Sequence, residues 1–206
     1  MTPSIDYYFV PQSPWSYLGH ARLQEIARAA GASIRVLPVD LGGKVFPVSG
    51  GLPLSKRAPQ RQAYRLVELR RFSEWLNTPI RLEPKYFPVD GGDASRLIIA
   101  ADLHDGPGAA MALAGTLMRA VWVDDLHIGD EAVLAAALVE CGLPARRLED
   151  AHSQTVHLRY EADTQAAIDA GVFGAPSYVV EGEIFWGQDR LDFLERRLQQ
   201  APTGRP

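Results

Sequence analysis

The chain has 206 residues, 47% of them hydrophobic and 22% charged, and carries a net charge of −4. That is the balance of a globular protein large enough to bury a core, and it removes the general electrostatic case for a nucleic-acid partner. No apolar run approaches the ~20 residues that a membrane helix needs. The single cysteine cannot form an internal disulfide, which suits a reducing compartment, most simply the cytoplasm.

The opening MTPSID lacks the basic start and the apolar stretch of a secretion signal, so none is expected. Ile5, Tyr7 and Phe9 alternate with Asp6 and Tyr8, which predicts a strand over residues 4–10. Ser13 suits a helix N-cap, and Pro14 suits the first helical position, where a missing N–H costs nothing. Leu18, Ala21, Leu23, Ile26, Ala27 and Ala30 form an apolar stripe that Gly31 brings to a stop. SIRVLPVDL reads as a second strand, parallel to the first if the crossover is right-handed.

The Gly/Pro-rich GGKVFPVSGGLPLSKRAP is expected to be a loop. Residues 60–76 carry Tyr64, Val67, Phe72 and Trp75 at helical spacing, and Pro79 stops the run. After the proline-broken RLEPKYFPVDGG, residues 94–104, 108–123, 130–141 and 153–170 read as four further helices. Ser177–Val180 and Glu183–Trp186, joined at Glu181-Gly182, predict an antiparallel hairpin. Asp189 is expected to cap a last helix with Leu191, Leu194 and Leu198 on one face.

The most informative segment is Ser13-Pro14-Trp15-Ser16, which has the frame of a Cys-Pro-x-Cys redox motif with serine at both cysteine positions. In such a motif the first thiol sits at a helix N-terminus, where unpaired N–H groups and the macrodipole stabilise its thiolate. With Ser13 in that place the anion site remains, but the protein does not own the anion. A serine hydroxyl is a poor nucleophile without a base, and His20 is nearly two turns along the helix. The consistent chemical use is to hold another molecule's thiolate, with Ser13 donating a hydrogen bond to it. The bland alternative is a plain N-cap, and Ser16, in the first turn, reads as structural.

Arg57, Arg61 and Arg65 fall at i, i+4 and i+8 within the basic segment KRAPQRQAYRLVELRR. They form either a carboxylate-binding face or a solvated face paired with Glu68 and others. Pro176, read without a fold, is an ordinary trans proline opening an edge strand. Cys141, ahead of Gly142 at a helix C-terminus, is expected to be inert. The histidines show no metal-like spacing and there is no Cys-x-x-Cys, so no metal site is expected. Tyr8, Trp15, Phe46, Trp122 and Trp186 are expected in the core, with Trp15 a possible wall of an aromatic pocket.

The order β-α-β, helical block, β-β-α resembles the thioredoxin-like fold, α/β with a large helical insertion, of the DsbA and kappa-class glutathione transferase type. That division assigns residues 1–45 and 171–206 to the thioredoxin-like domain and 46–170 to the insertion. SPWSYLG, VFGAPSYVV and FWGQDRLDFLE, in that order, narrow the resemblance to the 2-hydroxychromene-2-carboxylate isomerase family, over essentially the whole chain.

The resemblance implies glutathione as cofactor, with its sulfur beside Ser13. It implies a cis Pro176, with the Ala175 backbone pairing with the cysteinyl part of glutathione like an added strand. Gln188 and Asp189 would then take the γ-glutamyl end, Asp189 facing its amine. Arg61 would belong to the cofactor site, and Trp15, Arg57 and Tyr64 to a pocket for a small aromatic carboxylate. Family members tend to carry GNxPP in the preceding loop and a lysine three residues before a tyrosine. Here Gly51 stands at the asparagine and Arg61 at the lysine, which keeps the charge but not its geometry.

The reaction implied interconverts 2-hydroxychromene-2-carboxylate and trans-o-hydroxybenzylidenepyruvate, a step of naphthalene-type catabolism, and relatives suggest a homodimer. Two alternatives stay open. One is a kappa-like transferase or peroxidase acting on another electrophile; the other is a binding protein for glutathione or peptide without turnover. A dithiol oxidoreductase is argued against directly, because Ser13 and Ser16 cannot cycle between dithiol and disulfide.

Overall fold

The alternation at the N-terminus forms β1 (Ser4–Phe9) in the computed structural model, which describes residues 2–200. Ser13 then caps α1 (Pro14–Ala30), and Gly31 ends it in the left-handed region at φ 62°, where glycine carries no Cβ penalty. β2 (Ser33–Pro38) follows and pairs parallel with β1, Tyr7 opposite Val36. The chain returns to this sheet only at its end. β3 (Ser177–Val180) pairs antiparallel with β1, and β4 (Glu183–Trp186) pairs antiparallel with β3, giving the order β2-β1-β3-β4. Glu181 and Gly182 turn the hairpin with φ of 50° and 82°, the two positive values a tight two-residue turn demands.

Between the two halves lie α2 (Phe46–Ser49), α3 (Pro59–Leu76), α4 (Gly92–Asp105), α5 (Pro107–Trp122), α6 (Glu131–Glu140), α7 (Arg147–Asp150) and α8 (Gln154–Asp169), and α9 (Leu191–Gln199) closes the fold. The strand period of two divides the core. Ile5, Tyr7 and Phe9 point to one face, where they pack with Leu23 and Ile26 of α1, Leu97 and Ile98 of α4, Leu113 and Leu117 of α5, and Leu191 and Leu194 of α9. Tyr8 and Val10 point to the other, against Leu37, Val179 and the Ala167–Val172 end of α8. Each such buried side chain contributes about 1.5–3 kcal/mol. The larger cluster runs without a break from the sheet into α4, α5 and α6.

This is the thioredoxin-like fold with inserted helices that the element order predicts. Several local expectations differ. The Gly/Pro-rich segment is not all loop: Asp40 accepts a 2.7 Å hydrogen bond from the Gly43 N–H and starts a π-helical turn, Leu41–Val45, which leads into α2. The apolar stripe of α3 is mostly uncovered, with Tyr64, Val67 and Trp75 exposed and Leu69 alone fully buried. Trp186 is not core but 52% exposed, its ring 4.8 Å from that of Phe173. Asp189 does not cap the last helix. Gln188–Arg190 form a 3₁₀ turn that begins after Gly187, and the Asp189 carboxylate pairs with the Arg190 guanidinium at 2.7 Å. Among the described residues no helix is long and apolar enough to cross a membrane.

Candidate active site

The start of α1, the loop before β3, the 3₁₀ turn after β4 and one face of α3 surround a cleft of about 1150 Å³. Ser13, Trp15, Arg57, Arg61, Tyr64, Ala175, Gln188 and Asp189 all line it, although they come from four separate parts of the sequence. Pro176 is not on its surface, and the Ala175–Pro176 bond is cis.

Among the described residues Ser13 is the only buried hydroxyl that lines the cleft, 8% exposed. Its Oγ accepts the Ser16 N–H at 3.2 Å, and its carbonyl accepts the Tyr17 N–H at 3.0 Å. Pro14 brings no N–H and Ser16 donates to Ser13 Oγ, so the Trp15 N–H is the first-turn donor left without a partner among the described residues. The Ser13 O–H is likewise uncommitted, because Oγ takes part only as an acceptor. A free hydroxyl, a free N–H and the positive helix end therefore converge where an anion would sit.

Ser16 is fully buried and does not line the cleft. His20 is deeper still. Its Nε2 donates to the Met111 carbonyl at 2.9 Å, which leaves Nδ1 to accept from the Tyr7 hydroxyl at 3.4 Å. Burial pushes its pKa down to about 4, against the opposing hydrogen bond to Met111, so the ring is neutral and serves the core.

Opposite Ser13, neither the N–H nor the carbonyl of Ala175 hydrogen-bonds to the main chain among the described residues. Gln188 is 2% exposed, yet both its amide oxygen and its amide nitrogen lack a partner. Buried polar groups are almost always satisfied, so the Ala175 main chain and the buried Gln188 amide hold unfilled hydrogen-bonding capacity beside the cleft.

The third wall is basic. Arg57, Arg61 and Arg65 line it together, and the pKa of Arg57 is lowered by burial and by the charge of Arg61. The Arg57 Nε donates to the Leu52 carbonyl at 2.9 Å, which closes the loop before α3 on itself. The two carboxylates on the cleft are engaged elsewhere: Glu68 with Arg71 at 2.7 Å and Asp189 with Arg190. Trp15 meets Phe72 edge-on at 5.9 Å between ring centroids, so an apolar slot adjoins the basic wall. Gly51 belongs to this slot as well, because a side chain there would run into the Phe46 ring.

Sequence reasoning did not find Gln12, Phe46, Phe72, Phe87 or Pro88 as cleft residues, and treated Arg65 only as part of a face. Phe87–Pro88 is a second cis bond, beside the cleft. Nothing local marks these positions. They are brought in by packing between segments far apart in the chain.

The sequence matches the profile of the DSBA-like thioredoxin domain over residues 4–199. It is 30% identical to a 2-hydroxychromene-2-carboxylate isomerase of Pseudomonas sp. (strain C18), over 97% of this chain and 92% of that one. It is 24% identical to glutathione S-transferase kappa 1 of Caenorhabditis elegans, over 96% of this chain and 92% of that one. In three dimensions it superposes on a solved 2-hydroxychromene-2-carboxylate isomerase with a TM-score of 0.80 at 28% identity, covering 95% of this chain and 94% of the other.

Proposed function

Because the chain belongs to the DSBA-like thioredoxin family and, within it, to the 2-hydroxychromene-2-carboxylate isomerases, we propose that it is a glutathione-dependent isomerase. Its substrates would be 2-hydroxychromene-2-carboxylate and trans-o-hydroxybenzylidenepyruvate, in the breakdown of naphthalene-type compounds. The observation that carries this reading is Ser13: an uncommitted hydroxyl at a helix start, in a large cleft, where redox relatives of the fold carry a thiol.

The residues present fit glutathione. The free main-chain groups of Ala175 suit its cysteinyl amide, in the manner of an added strand, and the unpaired Gln188 amide suits the γ-glutamyl end. Asp189 suits the amine, once its carboxylate shares Arg190, and Arg61 suits a carboxylate. When bound, glutathione supplies a thiolate able to add reversibly to a conjugated double bond, which then rotates as a single bond.

The chain's own residues have three tasks in that reaction. Ser13 and the Trp15 N–H hold the sulfur as an anion and lower its pKa. Trp15, Phe72 and Tyr64 align a flat ring against it. The arginines of α3 and the segment before it balance the carboxylate of the substrate. Of the two expected domains, the described parts of 1–45 and 171–206 (residues 2–45 and 171–200) would carry the thiol side of the site and residues 46–170 the substrate side, in a cytoplasmic homodimer.

Calorimetric titration with reduced glutathione, followed by a spectrophotometric isomerisation assay on the chromene acid, tests the reading. Saturable binding and glutathione-dependent turnover are expected. Binding without isomerisation would favour a kappa-like transferase or peroxidase on another electrophile, or a glutathione-binding protein without turnover. No binding at millimolar glutathione would remove the cofactor and leave a binding module.

A further inference from the structure

Arg65 is unlike the other arginines of the protein. Its guanidinium carbon lies 5.0 Å from the centroid of the Phe87 ring and 5.6 Å from that of Trp122. Its Nη2 is sealed from solvent and has no hydrogen-bond partner among the described residues. The nearest carboxylate along the helix, Glu68, is turned to Arg71 instead. Burial and the neighbouring charge of Arg57, rather than any acidic group, govern its pKa, which is pushed down to about 10. A buried charge without a counter-ion is expensive, and folds keep one where a ligand completes the pair. Arg65 nonetheless lines the cleft. Its planar fork matches a carboxylate, and its flanking rings hold it in one orientation.

The cleft also exceeds the ~300–1,000 Å³ of a site for one drug-sized ligand, at about 1150 Å³. Glutathione on the Ser13–Gln188 side, reaching Arg61 in the first turn of α3, leaves the Arg65 side of the cleft free for a second molecule.

We infer that Arg65 is the anchor of this second subsite, and that it selects a planar aryl carboxylate whose acid group completes the Arg65 fork while its ring lies along the Phe87 and Phe72 side of the cleft. This rests on the isomerase reading above for the placement of glutathione, and it assigns substrate selection to a residue separate from the thiol site. An uncharged analogue of the same shape would lack the ion pair.

The test uses trans-cinnamate, a planar aryl carboxylate and a poor thiol acceptor, with trans-cinnamamide as its uncharged counterpart. Both are titrated into wild type and Arg65→Gln, each with and without reduced glutathione. Wild type should bind cinnamate at least tenfold more tightly than cinnamamide. Arg65→Gln should lose about ten- to a hundredfold for cinnamate, keep its cinnamamide affinity, and bind glutathione as wild type does. Equal affinity of wild type for the two probes overturns the inference without any variant. So does an Arg65→Gln protein that melts like wild type and keeps its cinnamate affinity, or that loses both probes alike. Should Arg65→Gln not fold, Arg65→Lys keeps the charge but not the fork, and unchanged cinnamate binding by it counts against the inference. Absence of glutathione binding in wild type would sink the isomerase reading alone, because the cinnamate arms are read without it.

Discussion

Gly19 of α1 and Gln188 of the 3₁₀ turn approach so closely that a Cβ on Gly19 would stand 2.8 Å from the Gln188 Cβ and 2.8 Å from the Tyr178 hydroxyl oxygen. One helix turn beyond Ser16, the absence of a side chain at Gly19 thus sets how near the far wall of the cleft comes to the thiol site. Gly19→Ala should destabilise by about 1–3 kcal/mol through overpacking and weaken glutathione binding about tenfold by displacing Gln188. Thermal melting and calorimetry read the two effects, and an unchanged melt would refute so close an approach.

Two substitutions at Ser13 separate its structural and chemical roles. Ser13→Ala loses the N-cap and should cost about 1 kcal/mol, whereas Ser13→Gly should cost only a few tenths. Both remove the hydroxyl, so both should raise the pKa of bound glutathione by about one unit or more, read by thiolate absorbance against pH. A Ser13→Gly protein whose bound thiol titrates as in wild type would leave Ser13 a cap and nothing else.

Asp189 has no capping role to lose, and its side chain is 42% exposed. Asp189→Asn should therefore leave the melting temperature nearly unchanged while weakening glutathione about tenfold. Arg190→Gln, which releases the carboxylate from its pair, should bind glutathione at least as tightly as wild type. Loss of affinity in Arg190→Gln would assign the ligand contact to Arg190 instead.

His20 gives a pH signature. Its folded pKa, about 4, lies below the ordinary 6.5 because burial disfavours the charged ring. The unfolded chain therefore binds a proton that the folded chain refuses as pH drops below 6.5. Stability from this group is complete above pH 6.5 and is lost as pH falls toward 4, by up to about 3 kcal/mol. Replacing His20 by Asn should flatten the stability profile between pH 6.5 and 4 relative to wild type, in urea titrations at matched ionic strength. Parallel profiles would contradict the buried, neutral ring.

An insulin-reduction assay should be flat at any concentration of this protein. Ser13 and Ser16 hold no thiol, and Cys141 is a half-buried, unpaired residue ending α6. Activity would require a thiol pair that the sequence does not contain.

The sheet and α1 were legible because their signals are local. Alternation marks β1, Ser13-Pro14 and Gly31 bracket α1, and Glu181-Gly182 marks the hairpin. Most expected cleft residues were legible too, but only through the resemblance: no spacing rule brings Ser13 next to Ala175 or Gln188. Where reading failed, tertiary packing overruled a local rule. Gly42, Gly43 and Pro47 argue against helix, yet the Asp40 cap starts one there. Asp189 precedes an amphipathic helix as a cap would, but Arg190 claims its carboxylate. Arg65 looked like one member of a charged face, and only the fold sets Phe87 and Trp122 around it.

The walls of the cleft are anchored very unequally. Helix α1 buries eight of its 17 residues and shares the unbroken cluster under the sheet, whereas α3 fully buries Leu69 alone of its 18. Regions with few buried apolar contacts open at a small fraction of the global free energy. The cleft therefore has one stiff jaw and one yielding jaw: Ser13 stands on the stiff side, and the arginines ride on the side that gives. New acceptors would be admitted by changes in the yielding jaw, at little cost to the stability of the rest.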